Sequence, residues 1–369
     1  MKVRAPGILM NEKLSNISKM FDKVLKDCVT SNIKITLYFD HIRIQAMNER
    51  ITYTDDIFDV NTDISCDHKF SFLVDAGTLI SFFKNHNQDI EIEIKNDYSI
   101  VFKYDRGSFS STWIEDKAFP DFFYPVGDGI RVMSSSFIQS MKRSFAFVGS
   151  DEFRPAIGSI LLNVKKEYID IVSTDMFHLF INRKEYANAV EERSIMLSEV
   201  AASILYRFLS DKDTEISIST DGVRTFLCFD NVIISDMNVE QQYPNYEYVC
   251  NKFEKSSSVK FDRDLLISVL NSMTLVDNVV NVKVDKENGI TVMSEDFGNR
   301  KKIMESMPFN ALEGPCFNFS IGKENILSSV KSLIKGDVVM DWSDQYKMIK
   351  MFNPKYESTY VLNQTLYNL

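Results

Sequence analysis

Hydrophobic and polar positions alternate with a period of two along three stretches of the chain, residues 42–53, 168–182 and 289–303. Each stretch has two alternating runs on either side of a short polar segment, which is the pattern of two antiparallel strands joined by a turn. Aligning the turns at Asn48, Asp175 and Asp296 gives separations of 127 and 121 residues. The spacing indicates a structural unit of about 120 residues that occurs three times.

A second set of predicted strands follows the same spacing. The segments 108–116, 232–240 and 358–366 recur at offsets of 124 and 126 residues. The first two lead into AFPDFFYP and QQYPNYEYV, aromatic and proline-containing segments that are typical of linkers. The chain is therefore predicted to form three domains, residues 1–127, 128–252 and 253–369.

Two amphipathic helices are predicted in each domain, between the runs of strands. The first helix has apolar residues at helical spacing, namely Leu14, Ile17, Phe21 and Val24. Its counterparts begin at potential caps, Ser134 and Asp262. The second helices lie near residues 76–85, 198–210 and 322–335. This order predicts an α+β fold in which each of three repeated domains packs two helices on antiparallel sheets.

Basic side chains recur on the polar faces of these helices, although the chain has a net charge of −10. On any single helix such residues are most simply a solvated face. Their recurrence on six predicted helices favours a basic surface that could contact phosphates. The residues predicted to face DNA are Lys19, Lys23, Lys26, Lys84, Lys142, Arg143, Arg207, Arg263, Lys323, Lys331 and Lys335.

The stretch VSTDMFHLF, residues 172–180, places Asp175 three residues before His178 and looks most like an active site. An extended chain directs side chains three residues apart to opposite faces, so this spacing argues against an acid–base pair. The chain also lacks a G-x-S-x-G, H-E-x-x-H or glycine-rich phosphate motif. A hydrolase that uses these two residues is therefore disfavoured, and Asp175 is predicted to stabilise a turn. No catalytic residue is predicted.

The five cysteines and four histidines are scattered along the chain, with no C-x-x-C pair. Neither a disulfide framework nor a metal site is predicted, and no cofactor is expected. The sequence has no apolar run of transmembrane length, and its first residues lack the features of a signal peptide. We therefore expect a cytoplasmic protein that does not associate with a membrane.

Four segments resemble the bacterial sliding clamp family, the beta subunit of DNA polymerase III, and they occur in that family's order. FVGSDEFRPAIGSILL (147–162) is similar to its S-x-D-x-R-P-x-L-x-G segment, and VSTDMFHLF occupies the place of A-T-D-G-H-R-L-A. YPNYEYV (243–249) is similar to F-P-D-Y-x-x-V, and FPDF (119–122) to its counterpart between the first two domains.

The resemblance implies a head-to-tail homodimer that forms a ring of six domains around double-stranded DNA and slides without reading sequence. Its implied function is that of a non-catalytic processivity factor that tethers a replicative polymerase and other DNA enzymes. The alternative is an accessory or binding scaffold that keeps the clamp fold but forms no ring on DNA.

The resemblance also implies an apolar groove that binds short peptide motifs of the polymerase and the clamp loader. Carried over by position, its residues are Ile157, Thr174, Met176, Phe177, His178, Leu179, Pro244, Tyr248, Val249, Val361, Asn363, Gln364 and Thr365. The chain departs from the family at 176–178, where the family has G-H-R, and at its end, where NQTLYNL replaces M-P-M-R-L. These differences imply a different preferred peptide.

The implied ring closes where an edge strand of the first domain meets the third domain of the other copy. Phe109 falls on that strand, and Leu275 and Val276 fall at the end of the third domain's first helix. All three could instead be local core residues. An exposed strand edge favours the interface, because an unpaired edge promotes aggregation.

Overall fold

The computed structural model describes residues 1–21, 29–58, 60–65, 68–127, 129–186, 191–273, 276–296, 298 and 300–366. The chain folds into two compact units. The first consists of Met1–Gln139 with Val200–Asn238, and the second of Ser140–Glu199 with Val239–Leu369. None of the described helices is both long and apolar enough to cross a membrane.

One strand, one helix and three further strands follow each other six times along the chain. The opening strands are β1 (Lys2–Ala5), β6 (Phe70–Asp75), β10 (Ile130–Met133), β14 (Arg193–Ser198), β18 (Ser257–Asp262) and β23 (Phe317–Gly322). The helices are α1 (Gly7–Ile17), α2 (Ala76–Asn85), α3 (Ser134–Ser144), α4 (Glu199–Leu209), α6 (Arg263–Ser272) and α7 (Lys323–Ser332).

Each helix leads into a set of three consecutive antiparallel strands. The sets are β2–β4 (Asn32–Leu37, Ile42–Met47, Ile51–Ile57), β7–β9 (Ile90–Ile94, Ser99–Tyr104, Gly107–Thr112), β11–β13 (Ser159–Val164, Tyr168–Thr174, His178–Glu185), β15–β17 (Glu215–Thr220, Arg224–Phe229, Val232–Met237), β19–β21 (Val279–Asp285, Gly289–Asp296, Lys301–Met307) and β24–β26 (Asp337–Ser343, Met348–Phe352, Thr359–Gln364). Outside the motif lie β5 (Asn61–Thr62), α5 (Tyr246–Lys252) and β22 (Ala311–Glu313).

The strands form two sheets in each unit. The first unit has an eight-stranded sheet, β10-β15-β16-β17-β4-β3-β2-β6, and a five-stranded sheet, β5-β1-β7-β8-β9. The second has a nine-stranded sheet, β14-β11-β12-β13-β26-β25-β24-β18-β22, and a four-stranded sheet, β21-β20-β19-β23. In each large sheet two closing strands of the motif pair with each other, β4 with β17 and β13 with β26. We call these pairs the first junction and the groove junction.

The predicted hairpins and strands occupy equivalent places in the repeated motif. Asn48 and Asp175 lie in the turns that precede β4 and β13, and Asp296 ends β20. The α+β fold class predicted from the sequence is confirmed. The domain boundaries at residues 127 and 252 stay predictions.

Helix caps follow the sequence in one case and depart from it in another. Asp262 caps α6 as predicted, because its carboxylate accepts the backbone N–H of Leu265. Ser134 instead lies inside the first turn of α3, and its hydroxyl donates to the carbonyl of Lys212. Leu265 of the same helix is exposed, whereas the neighbouring Leu266 is fully buried.

The groove junction is covered on both faces. On one face, Phe180 and Val361 belong to the core under α6 and α7. On the other, Leu179 and Leu362 pack with Tyr246 of α5. We call these the helix-covered face and the linker-covered face. Neighbouring residues of a strand point to opposite faces, so this alternation decides which side chains can reach a groove beside α5.

Candidate functional site: a groove beside the β12–β13 turn

Asp175 organises the turn between β12 and β13. Its Oδ1 accepts the backbone N–H groups of Phe177 (2.9 Å) and His178 (2.7 Å), and its Oδ2 lies 2.6 Å from Nδ1 of His178. The turn prediction for Asp175 agrees with these contacts. The expectation that the Asp175 and His178 side chains do not pair is wrong, because the chain bends sharply enough at the turn to bring them together.

Burial raises the pKa of the Asp175 carboxyl, but the hydrogen bonds from His178 and from the two amides outweigh it, so this pKa lies below its ordinary value. The carboxylate is therefore engaged as a hydrogen-bond acceptor in the turn. Thr174 completes the turn: its hydroxyl donates to the carbonyl of His178 and accepts the N–H of Met176. These contacts assign the pair a structural role.

Met176 has a φ of 78°, in the left-handed region that non-glycine residues rarely adopt. The turn leaves the side chains of Met176 and Phe177 43% and 64% exposed. Two large apolar side chains are thus exposed where β12 and β13 meet, at the strand ends of the nine-stranded sheet.

The opposite wall is the segment that leads into α5. The Asn245 side chain caps this helix by accepting the N–H of Tyr248 at 3.0 Å. Tyr246 is buried, and its hydroxyl donates to Oδ2 of Asp170 at 3.0 Å. Asp170 is itself fully buried and bonded to both Nε and NH2 of Arg183 at 2.8 Å. This buried network fixes the start of α5 on the sheet.

Between the two walls lies a cavity of about 260 Å³. Its lining residues are Thr174, Met176, Phe177, His178, Leu179, Pro244, Asn245, Tyr246, Val249, Met348, Leu362, Asn363 and Gln364. The lining contains no Asp, Glu, Lys or Arg, so the cavity suits a neutral, apolar group.

Nine of the thirteen residues predicted for the groove line this cavity, and four do not. Val361 is fully buried on the helix-covered face, and Ile157 is buried among its neighbours. The Thr365 hydroxyl donates to the carbonyl of Lys347, and Tyr248 is exposed on α5. The residues that the prediction missed are Asn245, Tyr246, Met348 and Leu362. Strand alternation is the signal for Leu362, since Val361 and Leu362 cannot share a face.

The residues predicted to face DNA have different environments. Lys84, Lys142, Lys331 and Lys335 are exposed. Lys19 donates to the hydroxyl of Ser203, and Arg207 to the carbonyl of Ser15 and the hydroxyl of Ser18. Lys23 and Lys26 lie outside the described residues.

Arg263 and Lys323 are buried, which argues against the prediction that they face DNA. The Arg263 guanidinium donates to the carbonyls of Val330 and Lys331 at the end of α7 and therefore stabilises a helix terminus. Its charge still affects its surroundings. Burial and nearby Arg263 lower the pKa of Arg143, and burial and nearby Arg143 lower the pKa of Lys184. Arg143 is thus near the charges of both Arg263 and Lys184, while Arg263 is also paired with Asp264 at 2.7 Å.

Of the predicted interface residues, Phe109 lies on an edge strand of a sheet. Phe109 belongs to β9, and its ring stacks on Phe82 at 5.5 Å and on Phe102 at 5.9 Å. Val276 is half-buried after α6, and Leu275 lies outside the described residues. β9 ends the five-stranded sheet and β21 ends the four-stranded sheet.

Comparison with known proteins gives one consistent likeness. No family model matches the chain. The beta sliding clamp of Rickettsia bellii is 23% identical over 237 residues, which cover 58% of this chain and 62% of that protein. The beta sliding clamp of Buchnera aphidicola is 25% identical over 170 residues, covering 44% of this chain and 46% of that protein. The chain thus matches less than two thirds of the length of these curated relatives.

Solved structures match over the whole length. The DNA polymerase sliding clamp of Bacillus subtilis has a TM-score of 0.91 at 15% identity, with 100% of both chains covered. The DnaN sliding clamp of Pseudomonas aeruginosa, solved bound to griselimycin, has a TM-score of 0.89 at 14% identity with the same coverage. The chain therefore has a sliding-clamp fold. More narrowly, this fold is that of the bacterial DNA polymerase III beta subunit, as the Thermotoga maritima beta subunit also shows with a TM-score of 0.89, 16% identity and 100% of both chains covered.

Proposed function

We propose that the chain is a DNA sliding clamp, a non-catalytic processivity factor of the beta-subunit type. Two copies encircle double-stranded DNA, and the groove beside α5 tethers a replicative polymerase and other DNA enzymes, the clamp loader among them. The fold shared with beta-subunit structures supports this function. It needs no catalytic residue, in keeping with the structural role of Asp175 and His178.

The pairing of the motif's closing strands carries the proposal of a dimer. Four of the six closing strands already pair with each other, at the first junction and at the groove junction. The other two, β9 and β21, have one neighbour each among the described strands. If β9 of one copy pairs with β21 of a second copy, two such pairings use every free closing strand and close a ring.

The side chains of these edges suit an interface. β21 leaves Met304 63% exposed, a large apolar side chain on an unpaired strand. On β9, Phe109 is half-buried against Phe82, so its ring is positioned but not fully covered. Pairing the two strands would remove both apolar groups from water.

Cations in the second unit support an interaction with DNA. Arg143 is half-buried near the positive charges of Arg263 and Lys184, so an anion beside Arg143 would be stabilised. Exposed Lys142 and Lys331 lie on α3 and α7. Phosphate contacts of this kind carry no base specificity, so binding is expected to be independent of sequence.

Sedimentation of the chain at micromolar concentration tests the ring. We expect a dimer for the wild-type chain and a monomer for Met304→Asp, because pairing would bury an unpaired carboxylate. Val223→Asp, at another exposed apolar position, is the matched control and should remain a dimer. A monomeric wild-type chain would favour the scaffold that forms no ring.

Salt dependence of duplex binding tests the DNA surface. Each phosphate contact contributes about 0.9 to the slope of log affinity against log salt. Changing Lys142 and Lys331 to Glu should weaken binding to every duplex sequence alike and flatten this slope. Altered preference among sequences would contradict the proposal, since bases would then be read.

Griselimycin, bound by the Pseudomonas aeruginosa clamp, offers a probe of the groove. We expect calorimetric binding to the wild-type chain and weaker binding to Met176→Ala, whose side chain lines the cavity. Ile8→Ala, at an exposed apolar position on α1, should bind like the wild type. Equal affinity of all three proteins would contradict a ligand-binding role of the groove.

A further inference from the structure

Exposed apolar side chains gather around the groove and extend beyond its cavity. Met176, Phe177 and Val249 line the cavity and are exposed. Phe153 is 91% exposed, although it does not line the cavity. Single exposed apolar residues are ordinary on protein surfaces, but a group of them next to an apolar cavity indicates a binding surface.

The loop that carries Phe153 is fastened to both walls of the groove. A Cβ atom at Gly149 would lie 2.6 Å from Ile157 Cδ1 and 3.1 Å from Asp175 Cα, so the start of the loop touches the β12–β13 turn. At its other end the backbone N–H of Ala156 donates to Oε1 of Gln241 at 3.0 Å. Gln241 lies three residues before Pro244, in the segment that forms the second wall.

The loop is also fixed internally. The Asp151 carboxylate accepts the N–H of Phe153 and the Nε–H of Arg154, each at 2.8 Å, and lies 2.7 Å from NH2 of Arg154. A backbone held by these contacts presents the Phe153 ring to solvent in a defined place. An aromatic residue on a rigid backbone loses little conformational entropy when a partner covers it.

The size of the cavity limits what it can hold. An engineered cavity of about 150 Å³ accommodates one benzene molecule. At about 260 Å³, the groove cavity holds one or two side chains of a peptide, so further contacts must lie outside it. Since the lining is uncharged, the side chains it holds are expected to be neutral.

We infer that Phe153 is a second anchor point of the groove, and that the partner is a linear segment with two sets of neutral apolar side chains. One set fills the cavity, and one aromatic or large aliphatic side chain packs on Phe153 outside it. Because this inference rests on the proposed function of the groove, its test must separate a missing second anchor from a missing groove.

Synthetic octapeptides with two adjacent central leucines provide the probe. Phe, Ala, Asp and Lys are placed in turn at each flanking position, and affinity is measured by fluorescence anisotropy. We expect one flanking position at which Phe improves affinity at least tenfold over Ala, whereas Asp and Lys do not. Phe153→Ala should abolish this gain and keep the leucine-dependent binding, and Phe153→Leu should keep part of the gain.

Two further variants make the result decisive. Met176→Ala should weaken every peptide, because it alters the cavity itself. Phe39→Ala, at an exposed phenylalanine of the first unit, should change nothing. If Phe153→Ala keeps the full preference for Phe, the second anchor is wrong while the groove stands. If no peptide binds, both the proposed groove and the second anchor at Phe153 are contradicted. If Phe153→Ala abolishes association of the protein into species larger than a dimer, the loop contacts a further copy and the inference is overturned.

Discussion

The first junction and the groove junction have the same backbone arrangement of turn and paired strands. They differ in the side chains on one face, which in the groove junction is the linker-covered face. Asn48 before β4 and Asp175 before β13 each accept two backbone N–H groups, two and three residues further on. Counted from these turns, Thr52 and its partner Ser235 take the places of Leu179 and its partner Leu362.

In the first junction this pair is polar and covered. The Thr52 and Ser235 hydroxyls lie 2.6 Å apart, and NH1 of Arg224 donates to Ser235 at 3.1 Å. The Arg224 guanidinium in turn lies 4.0 Å from the centre of the Phe123 ring, in the segment near the end of the first predicted domain. In the groove junction the pair is two leucines beside an open cavity. The comparison shows that side chains, more than backbone, distinguish a filled junction from one beside an open cavity.

The helix-covered faces differ as well, and the largest effect is expected there. Asp55 of β4 is fully buried, 2.8 Å from Nζ of Lys13 and 2.6 Å from the Tyr53 hydroxyl. Its counterpart in the groove junction is Asn182, an uncharged residue bonded to Thr359. Lys13→Met should lower the free energy of unfolding by about 3–5 kcal/mol, because it leaves a buried carboxylate without its cation.

Urea unfolding at several pH values checks this prediction. Burial raises the pKa of Asp55 despite Lys13 and Tyr53, so the folded state holds the proton more tightly than the unfolded state. Stability from this group therefore falls as pH rises above the ordinary carboxyl pKa. The cost of Lys13→Met should be smaller in acid, and Lys13→Met with Asp55→Asn should recover most of it. A cost that does not change with pH would contradict this account.

Copying the first junction's pair into the groove should have the next largest effect. Leu179→Thr with Leu362→Ser replaces two buried leucines by smaller polar residues, and we expect a loss of about 2–4 kcal/mol in unfolding free energy. Binding of griselimycin or of the leucine peptides should weaken more than tenfold. Thr359→Ser, a small change in the same strand, is the control. Unchanged affinity would show that the floor of the cavity is not a binding surface.

The turns should give a smaller effect. Asp175→Ala and Asn48→Ala each remove an acceptor of two backbone N–H groups, at an expected cost of about 1–2 kcal/mol. Asp175→Ala should cost more, since His178 loses a carboxylate partner at 2.6 Å, whereas Asn48→Ala removes a neutral hydrogen bond of 3.1 Å to the Met20 carbonyl.

The pH dependence separates the two turns. The pKa of Asp175 is lowered in the folded protein, so its stabilisation is present above the ordinary carboxyl pKa and is lost as pH falls. Asp175→Asn keeps an acceptor for the amides and should remove this dependence, whereas Asn48 cannot titrate. Equal acid sensitivity of Asp175→Asn and the wild type would contradict the assignment.

The repeated hairpins were open to prediction because alternation, turn residues and spacing are local properties of a sequence. The prediction of Val361 as a groove residue came from its position in the family, whereas Leu362 lines the cavity. The alternation along β26 could not correct it, because this strand is covered on both faces. When apolar residues occupy both faces of a strand, alternation no longer shows which residues belong to which face. Burial of Arg263 could not be predicted either, since it depends on carbonyls of α7 that lie 67 and 68 residues away in sequence.

The left-handed Met176 has a consequence for how stability and binding trade against each other. A side chain at a φ of 78° is strained, whereas glycine adopts this conformation freely. Met176→Gly should therefore raise the free energy of unfolding by about 0.5–1 kcal/mol while weakening every groove ligand. If Met176→Gly is more stable and binds groove ligands less tightly, the strained backbone of this turn is the cost of placing the Met176 thioether in the binding surface.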